Sequence, residues 1–201
     1  MPRTADHDER RRQVAEALLR AVAARGLART TLIDVADEAG TSVGLVQRYF
    51  RSKSDLLRFG VEYLYERAEE RIAEVELVPP VRSVLYRVTE TLLPLDDERR
   101  TELAVWLEFV PATLTDPEMS RIHRDTTRRL VDGIAGGITS AQKHGELSTG
   151  VDARAEAAAL VAFVDGLTMH HIATAEIFDT GMIRDALHRF IDQLFARDGR
   201  S

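Results

Sequence analysis

From Asp8 to about Arg25, the apolar residues Val14, Ala17, Leu18, Ala21 and Val22 recur every three or four positions, the spacing that gathers them on one helix face. The same period returns along almost the whole chain. It predicts short helices over 32–39 and 43–50. A long helix over 53–76 follows, with Leu56, Leu57, Phe59, Val61, Leu64, Tyr65, Ala68 and Ile72 on its apolar side. Further helices are predicted over 81–93, 97–114, 117–144, 153–178 and 182–196. No stretch alternates apolar and polar residues over several positions, as a half-buried strand would. The pattern predicts an all-α protein of about nine helices.

The punctuation agrees with the period. Gly26 and Gly40 stand where helices end, the place where glycine accepts a left-handed turn. Thr30 or Thr31, Ser42, and Ser52 or Ser54 stand where a hydroxyl caps a helix N-terminus. Pro111 lies inside an apolar pattern and predicts a kink or an early stop. Pro79-Pro80 breaks the chain after the long helix.

Composition narrows the classes. With 201 residues the chain can bury a core without staples, and with no cysteine it has neither disulfides nor thiolate metal sites. The polar N-terminus lacks a secretory apolar run, and the run 157–164 is far shorter than the ~20 residues that cross a bilayer. The expectation is a cytoplasmic protein with no membrane partner. The net charge of −6 hides an asymmetry. Residues 1–60 carry eleven Arg/Lys against eight Asp/Glu, whereas the remainder is strongly acidic. A basic end on an acidic chain suggests an anionic partner bound at that end.

The segment AGTSVGLVQRYFRSKSDLL, residues 39–57, carries the chemistry. Two short helices flank a glycine turn, the pattern of a helix–turn–helix. Val35, Ala36 and Ala39 pack the first helix inward, while Val46 and Phe50 hold the second on the core. The outer face of the second helix keeps Val43, Gly44, Gln47 and Arg48, with Leu45 beside them. Gln can pair with adenine and Arg with guanine in a major groove, and Val or Leu can meet a thymine methyl. Thr31 and Ser42 at helix N-termini, and the Tyr49 hydroxyl, suit phosphate oxygens. Lys53 near a helix start is unfavourable for that helix dipole and asks for an anion. Arg10, Arg11 and Arg12 are candidates to grip flanking backbone. Each residue alone has an ordinary reading as helix punctuation, core or solvated surface; the ordered set points to double-stranded DNA.

Residues 31–57 resemble the DNA-binding region of the TetR family of transcriptional regulators, on the pattern AG-x-S-x-G followed by YF-x-S-K-x-x-LL. With the preceding helix, the resemblance covers about residues 8–58. It implies that Thr31, Ser42, Val43, Gly44, Gln47, Arg48, Tyr49 and Lys53 face DNA. One position departs: many members carry Tyr where this chain has Gln47. The resemblance also implies an all-helical homodimer with a C-terminal ligand pocket. The stretches 101–125 and 164–172 are similar to the C-terminal domain of the betaine-regulator-like subgroup. The expected organisation is a helix–turn–helix domain over 1–58 and a ligand-binding and dimerisation domain over 59–201, linked by the long helix 53–76.

Two C-terminal helices are too apolar for a monomer's surface. Ala155, Ala158 and Ala162, with Ile183, Leu187, Phe190 and Leu194, are the candidates for a four-helix dimer interface. Two recognition helices held about 34–36 Å apart read half-sites one turn apart. For the pocket, Tyr86, Trp106, Phe109, Phe163 and Met169 are candidate apolar walls, and Glu108, His123, Thr127, Asp165 and His170 candidate polar anchors. The expected function is a repressor that is released from its operator by an unidentified small-molecule effector, with no cofactor.

Two other classes compete. A metal sensor would use His123, His170 and His171, but adjacent helical residues point about 100° apart. An enzyme would need a nucleophile–base pair, a phosphate loop or a metal motif, and the sequence carries none of these signatures.

Overall fold

The computed structural model describes residues 2–196, with side chains from Asp8 onward. Its described residues form nine α-helices and two 3-10 turns, with no strand. They are α1 (Pro2–Arg25), α2 (Leu32–Glu38), α3 (Val43–Tyr49), α4 (Lys53–Ala73), α5 (Val81–Glu90), α6 (Asp97–Phe109), α7 (Pro117–Lys143), α8 (Ala153–Ala173) and α9 (Thr180–Ala196). The 3-10 turns are Leu27–Arg29 and Val110–Leu114.

The places where helices stop earlier than the apolar period have local causes. Helix α6 gives way at Phe109 to a 3-10 turn containing Pro111, whose ring and missing N–H forbid an α-helical continuation. Helix α5 ends at Glu90, and three tight i→i+3 bonds close the chain before Pro94. Helix α8, expected to reach residue 178, ends at Ala173. The Thr174 hydroxyl donates to the His170 carbonyl at 2.8 Å, a side-chain bond that competes with the helical ladder. Asp179 then accepts from the Met182 N–H at 2.8 Å, which starts α9 two residues earlier than its apolar pattern.

The chain divides into two compact units that do not follow linear order. The first is Met1–Arg67 with Thr101–Ile122; the second is Ala68–Arg100 with His123–Ser201. The first unit's core draws on Leu18 and Val22 of α1, Val35 of α2, Val46 and Phe50 around α3, and Leu56 and Leu64 of α4. It also recruits Val105 and Phe109 of α6 and Met119 and Ile122 of α7. A helix–turn–helix of two seven-residue helices is too small to bury a core alone, so later segments complete it. The second unit's core is built from Leu85, Leu93, Ile134, Ile138, Leu160, Val164 and Leu167, with Ile183, Leu187, Ile191 and Leu194 of α9.

Candidate nucleic-acid interface

Helix α2 starts on a reciprocal cap. The Thr31 hydroxyl accepts from the Asp34 N–H, and the Asp34 carboxylate accepts from the Thr31 N–H at 2.9 Å. The Thr31 hydroxyl also donates to that carboxylate at 2.7 Å. These bonds, the hydroxyl's foremost, hold the Asp34 carboxyl below its usual range, and Arg25 pairs with it. Helix α2 ends in a left-handed Gly40, φ 62°, with the Thr41 N–H on the Ala36 carbonyl at 2.9 Å and the Gly40 N–H on Asp37 at 3.1 Å. That pair of bonds needs a residue without a Cβ penalty at Gly40 and turns the chain sharply into α3.

Ser42 caps α3 by accepting from the Leu45 N–H at 3.2 Å. Val46 and Phe50 are fully buried and pin the helix. Phe50 lies 5.3 Å from the Phe59 ring, and the Arg11 guanidinium stands over both rings, 5.3 Å and 4.3 Å from their centroids. Arg11, a candidate for gripping flanking backbone, is therefore turned inward as a cation–π partner. Arg10 and Arg12 remain exposed.

The outward face of α3 presents Ser42, Gly44, Gln47 and Arg48, all exposed. Val43, Leu45 and Tyr49 are half-buried, and Val43 and Tyr49 pack against the first unit's core. Lys53 does not stand alone at the start of α4. Its ammonium donates to the Thr30 carbonyl at 2.6 Å, which offsets the unfavourable dipole and leaves two N–H bonds for a further acceptor. Ser52, rather than Ser54, caps α4, accepting from the Asp55 N–H at 3.1 Å. Arg51, exposed between α3 and α4, adds a cation that the sequence reading passed over. Its place between Phe50 and the capping Ser52 was the available signal.

The candidate ligand residues divide between the two units. Trp106 and Phe109 belong to the first unit's core, where the Trp106 indole N–H donates to the Tyr65 hydroxyl at 3.2 Å. Glu108 faces the end of α1 instead of a pocket, its carboxylate accepting from the Leu27 N–H at 3.1 Å. In the second unit, the Tyr86 hydroxyl donates to Asp192, and its ring lies 4.4 Å from His188. Burial, then the Asp192 hydrogen bond, pushes the Tyr86 pKa up to about 12. Phe163 stacks on Phe190 at 4.7 Å. His123 and Thr127 are half-buried on α7, and burial lowers the His123 pKa.

Asp165, Met169 and His170 are exposed on α8, on the side that carries Ala155, Ala158 and Ala162, also exposed. Asp165 is exposed as a residue, while loss of water around its carboxyl raises its pKa to about 6. Of the α9 residues expected at a partner, Ile183, Leu187 and Leu194 are at most 1% exposed and fill the chain's own core. The period alone does not say whether an apolar stripe faces the chain's own core or a partner. Phe190 is half-buried, and Met182 is the exposed large apolar residue of α9. His171 is buried with its Nδ1 2.7 Å from the Phe178 carbonyl, whereas His170 is exposed and stacks on Phe178. Among the described residues no three His, Asp or Glu side chains are grouped to hold a metal ion.

Comparison with known proteins adds independent findings. Residues 15–58 match the family described as bacterial regulatory proteins, tetR family. Residues 81–196 match the BetI-type transcriptional repressor, C-terminal. The chain is 27% identical over 202 residues to the HTH-type transcriptional regulator PksA of Bacillus subtilis (strain 168), covering 100% of this chain and 97% of the relative. It is 28% identical to the regulator BetI of Paraburkholderia xenovorans (strain LB400), covering 98% of each. Among solved structures, a transcriptional regulator from Saccharomonospora viridis, in complex with choline, is 29% identical with a TM-score of 0.85. That match covers 92% of this chain and 96% of the other.

Proposed function

Because the chain belongs to the TetR family of bacterial transcriptional regulators, which are not enzymes, we propose that it is a ligand-responsive repressor acting as a homodimer on a near-palindromic operator. The observation that carries this reading is the α3 face: Gln47 and Arg48 exposed side by side on a helix capped by Ser42 and pinned from behind by Val46 and Phe50. Gln47 and Arg48 read base edges, with Val43, Gly44 and Leu45 against the groove. Thr31, Ser42, Tyr49, Arg51 and Lys53 hold phosphates and fix the register.

The homodimer rests on α8. Ala155, Ala158, Ala159, Ala162 and Met169 leave an apolar surface exposed on one side of that helix, and Met182 of α9 is exposed as well. A second copy related by a two-fold axis covers that surface and sets two α3 helices about 34–36 Å apart, one helical turn of DNA. The effector site lies in the second unit, among residues such as Tyr86, His123, Thr127 and Phe163. Helices α4, α6 and α7 carry residues in both units and transmit the effector's presence. The choline in the S. viridis regulator makes quaternary ammonium compounds the first effectors to test. The protein acts in the cytoplasm; no helix of the described residues is long and apolar enough to cross a membrane.

The test is selection of genomic fragments by the purified protein, then anisotropy titration of enriched fragments at two salt concentrations. Enrichment of a short near-palindrome with steep salt dependence is the expected outcome. Binding that ignores both sequence and salt would refute the reading. Choline added to the complex should lower operator affinity; if it does not, that effector class is excluded and the DNA-binding reading stands.

A further inference from the structure

Helix α1 ends at Arg25, and Gly26 leaves it in the left-handed region at φ 78°. The next backbone N–H, of Leu27, has no carbonyl of its own helix to reach. It is met by the Glu108 carboxylate at 3.1 Å, from the far end of α6 and 81 residues away in sequence. A carboxylate beside a helix C-terminus is electrostatically unfavourable, so dipole attraction does not explain its position. The Leu27 N–H does.

The segment held there leads to the DNA-facing residues. The Thr30 hydroxyl donates to the Gly26 carbonyl at 2.9 Å, and the Lys53 ammonium donates to the Thr30 carbonyl at 2.6 Å. Thr31 follows directly as the cap of α2. Helix α6 is itself tied to α4 by the Arg67–Glu102 ion pair at 2.5 Å and by the Trp106–Tyr65 hydrogen bond. Its first turn, through Arg100, belongs to the second unit, and the rest to the first.

We propose that Glu108 is a positioning residue for operator binding, a latch by which the end of α6 sets the pose of residues 26–31 and so of Thr31 and Lys53. The proposal rests on the operator-binding reading above and names a point through which that binding is regulated. Movement of α6 relative to α1 loosens the latch and weakens the operator complex without any change in the residues that touch DNA.

Glu108→Ala and Glu108→Gln separate this from two simpler accounts. Glutamine keeps an acceptor for the Leu27 N–H; alanine does not. In DNA-free protein, amide exchange at Leu27 should quicken about tenfold in E108A and be largely restored to the wild-type rate in E108Q. Unchanged exchange in E108A overturns the proposal whether or not an operator is known. On an operator bound by the wild type, E108A should lose about fivefold in affinity with an unaltered salt slope, and E108Q should recover most of it. If the carboxylate acts only as a negative charge near DNA, both variants bind more tightly. That result overturns the latch and leaves the DNA reading intact. The site is open to water, so thermal midpoints of both variants should match wild type; a matching fall in midpoint and affinity in both would show a merely structural role.

Discussion

Phe50 is the residue on which the placement of α3 most depends, and its removal gives a quantitative test. The side chain is 0% exposed, packs 5.3 Å from Phe59 and lies under the Arg11 guanidinium. Phe→Ala in a core costs about 3–5 kcal/mol through lost burial and the residual cavity. An aromatic pair adds about 0.5–1.5 kcal/mol beyond area, and a cation–π contact about 0.5–2 kcal/mol, more as the site loses water. Arg11 keeps Phe59 after the substitution, so only part of that last contribution is lost. Phe50→Ala should therefore fall near the top of the range, about 4–5 kcal/mol. Phe50→Leu keeps most of the volume and should cost about 1–2 kcal/mol. Arg48→Ala, two positions away but exposed, should stay within about 0.5 kcal/mol. The assay is urea unfolding followed by circular dichroism, all variants at one protein concentration because any self-association would couple to stability. A Phe50→Ala loss under about 1.5 kcal/mol would refute the pinning of α3, since no buried aromatic so placed is that cheap to remove.

Arg48→Ala should instead cost about 1–3 kcal/mol in operator binding and relax specificity at one base pair, as read by titration of operator variants. Lys53→Ala should weaken all sequences alike and lower the salt slope by about 1; an unchanged slope would place Lys53 wholly on the Thr30 carbonyl. Ser42→Ala removes the α3 cap and should destabilise the protein by about 1 kcal/mol in the same urea assay. Tyr86, with its pKa raised to about 12, should ionise last in an ultraviolet titration, and Tyr86→Phe should delete that late component. Its neutral hydroxyl supports the fold fully below pH 10, and the support fades as pH rises toward 12. Asp165, raised to about 6, binds its proton more tightly folded than unfolded, so stability falls as pH rises from about 4 through 6. Asp165→Asn should be the more stable form at pH 7 and lose that advantage below pH 4; equal pH profiles would refute the loss of water around its carboxyl.

Much of this architecture is legible in the sequence. The helical period, the Thr31 and Ser42 caps, the Gly40 turn and the Pro111 stop are decided within one or two helical turns. Such features depend on residues three or four positions apart, and those are visible in the chain itself. The exposed Gln47 and Arg48 were legible for the same reason, because Val46 and Phe50 mark the opposite side of the helix.

Other features had no local signature. Ile183, Leu187, Ile191 and Leu194 of α9 are buried while Phe190 is half-buried and Met182 exposed, a choice made only by packing in the second unit's core. Arg11 reads as one more cation in a basic run until Phe50 and Phe59 arrive beneath it. Glu108 reads as a candidate pocket residue until the chain returns α6 to the end of α1. By itself, the sequence determined where the short helices α2 and α3 begin and end and which side chains of α3 stay exposed, since backbone hydrogen bonds and caps close over a few residues. The tertiary structure decided which apolar stripe is core and which charged groups meet. Those choices depend on contacts tens of residues apart, where many partners are compatible with one local pattern and only mutual packing selects among them.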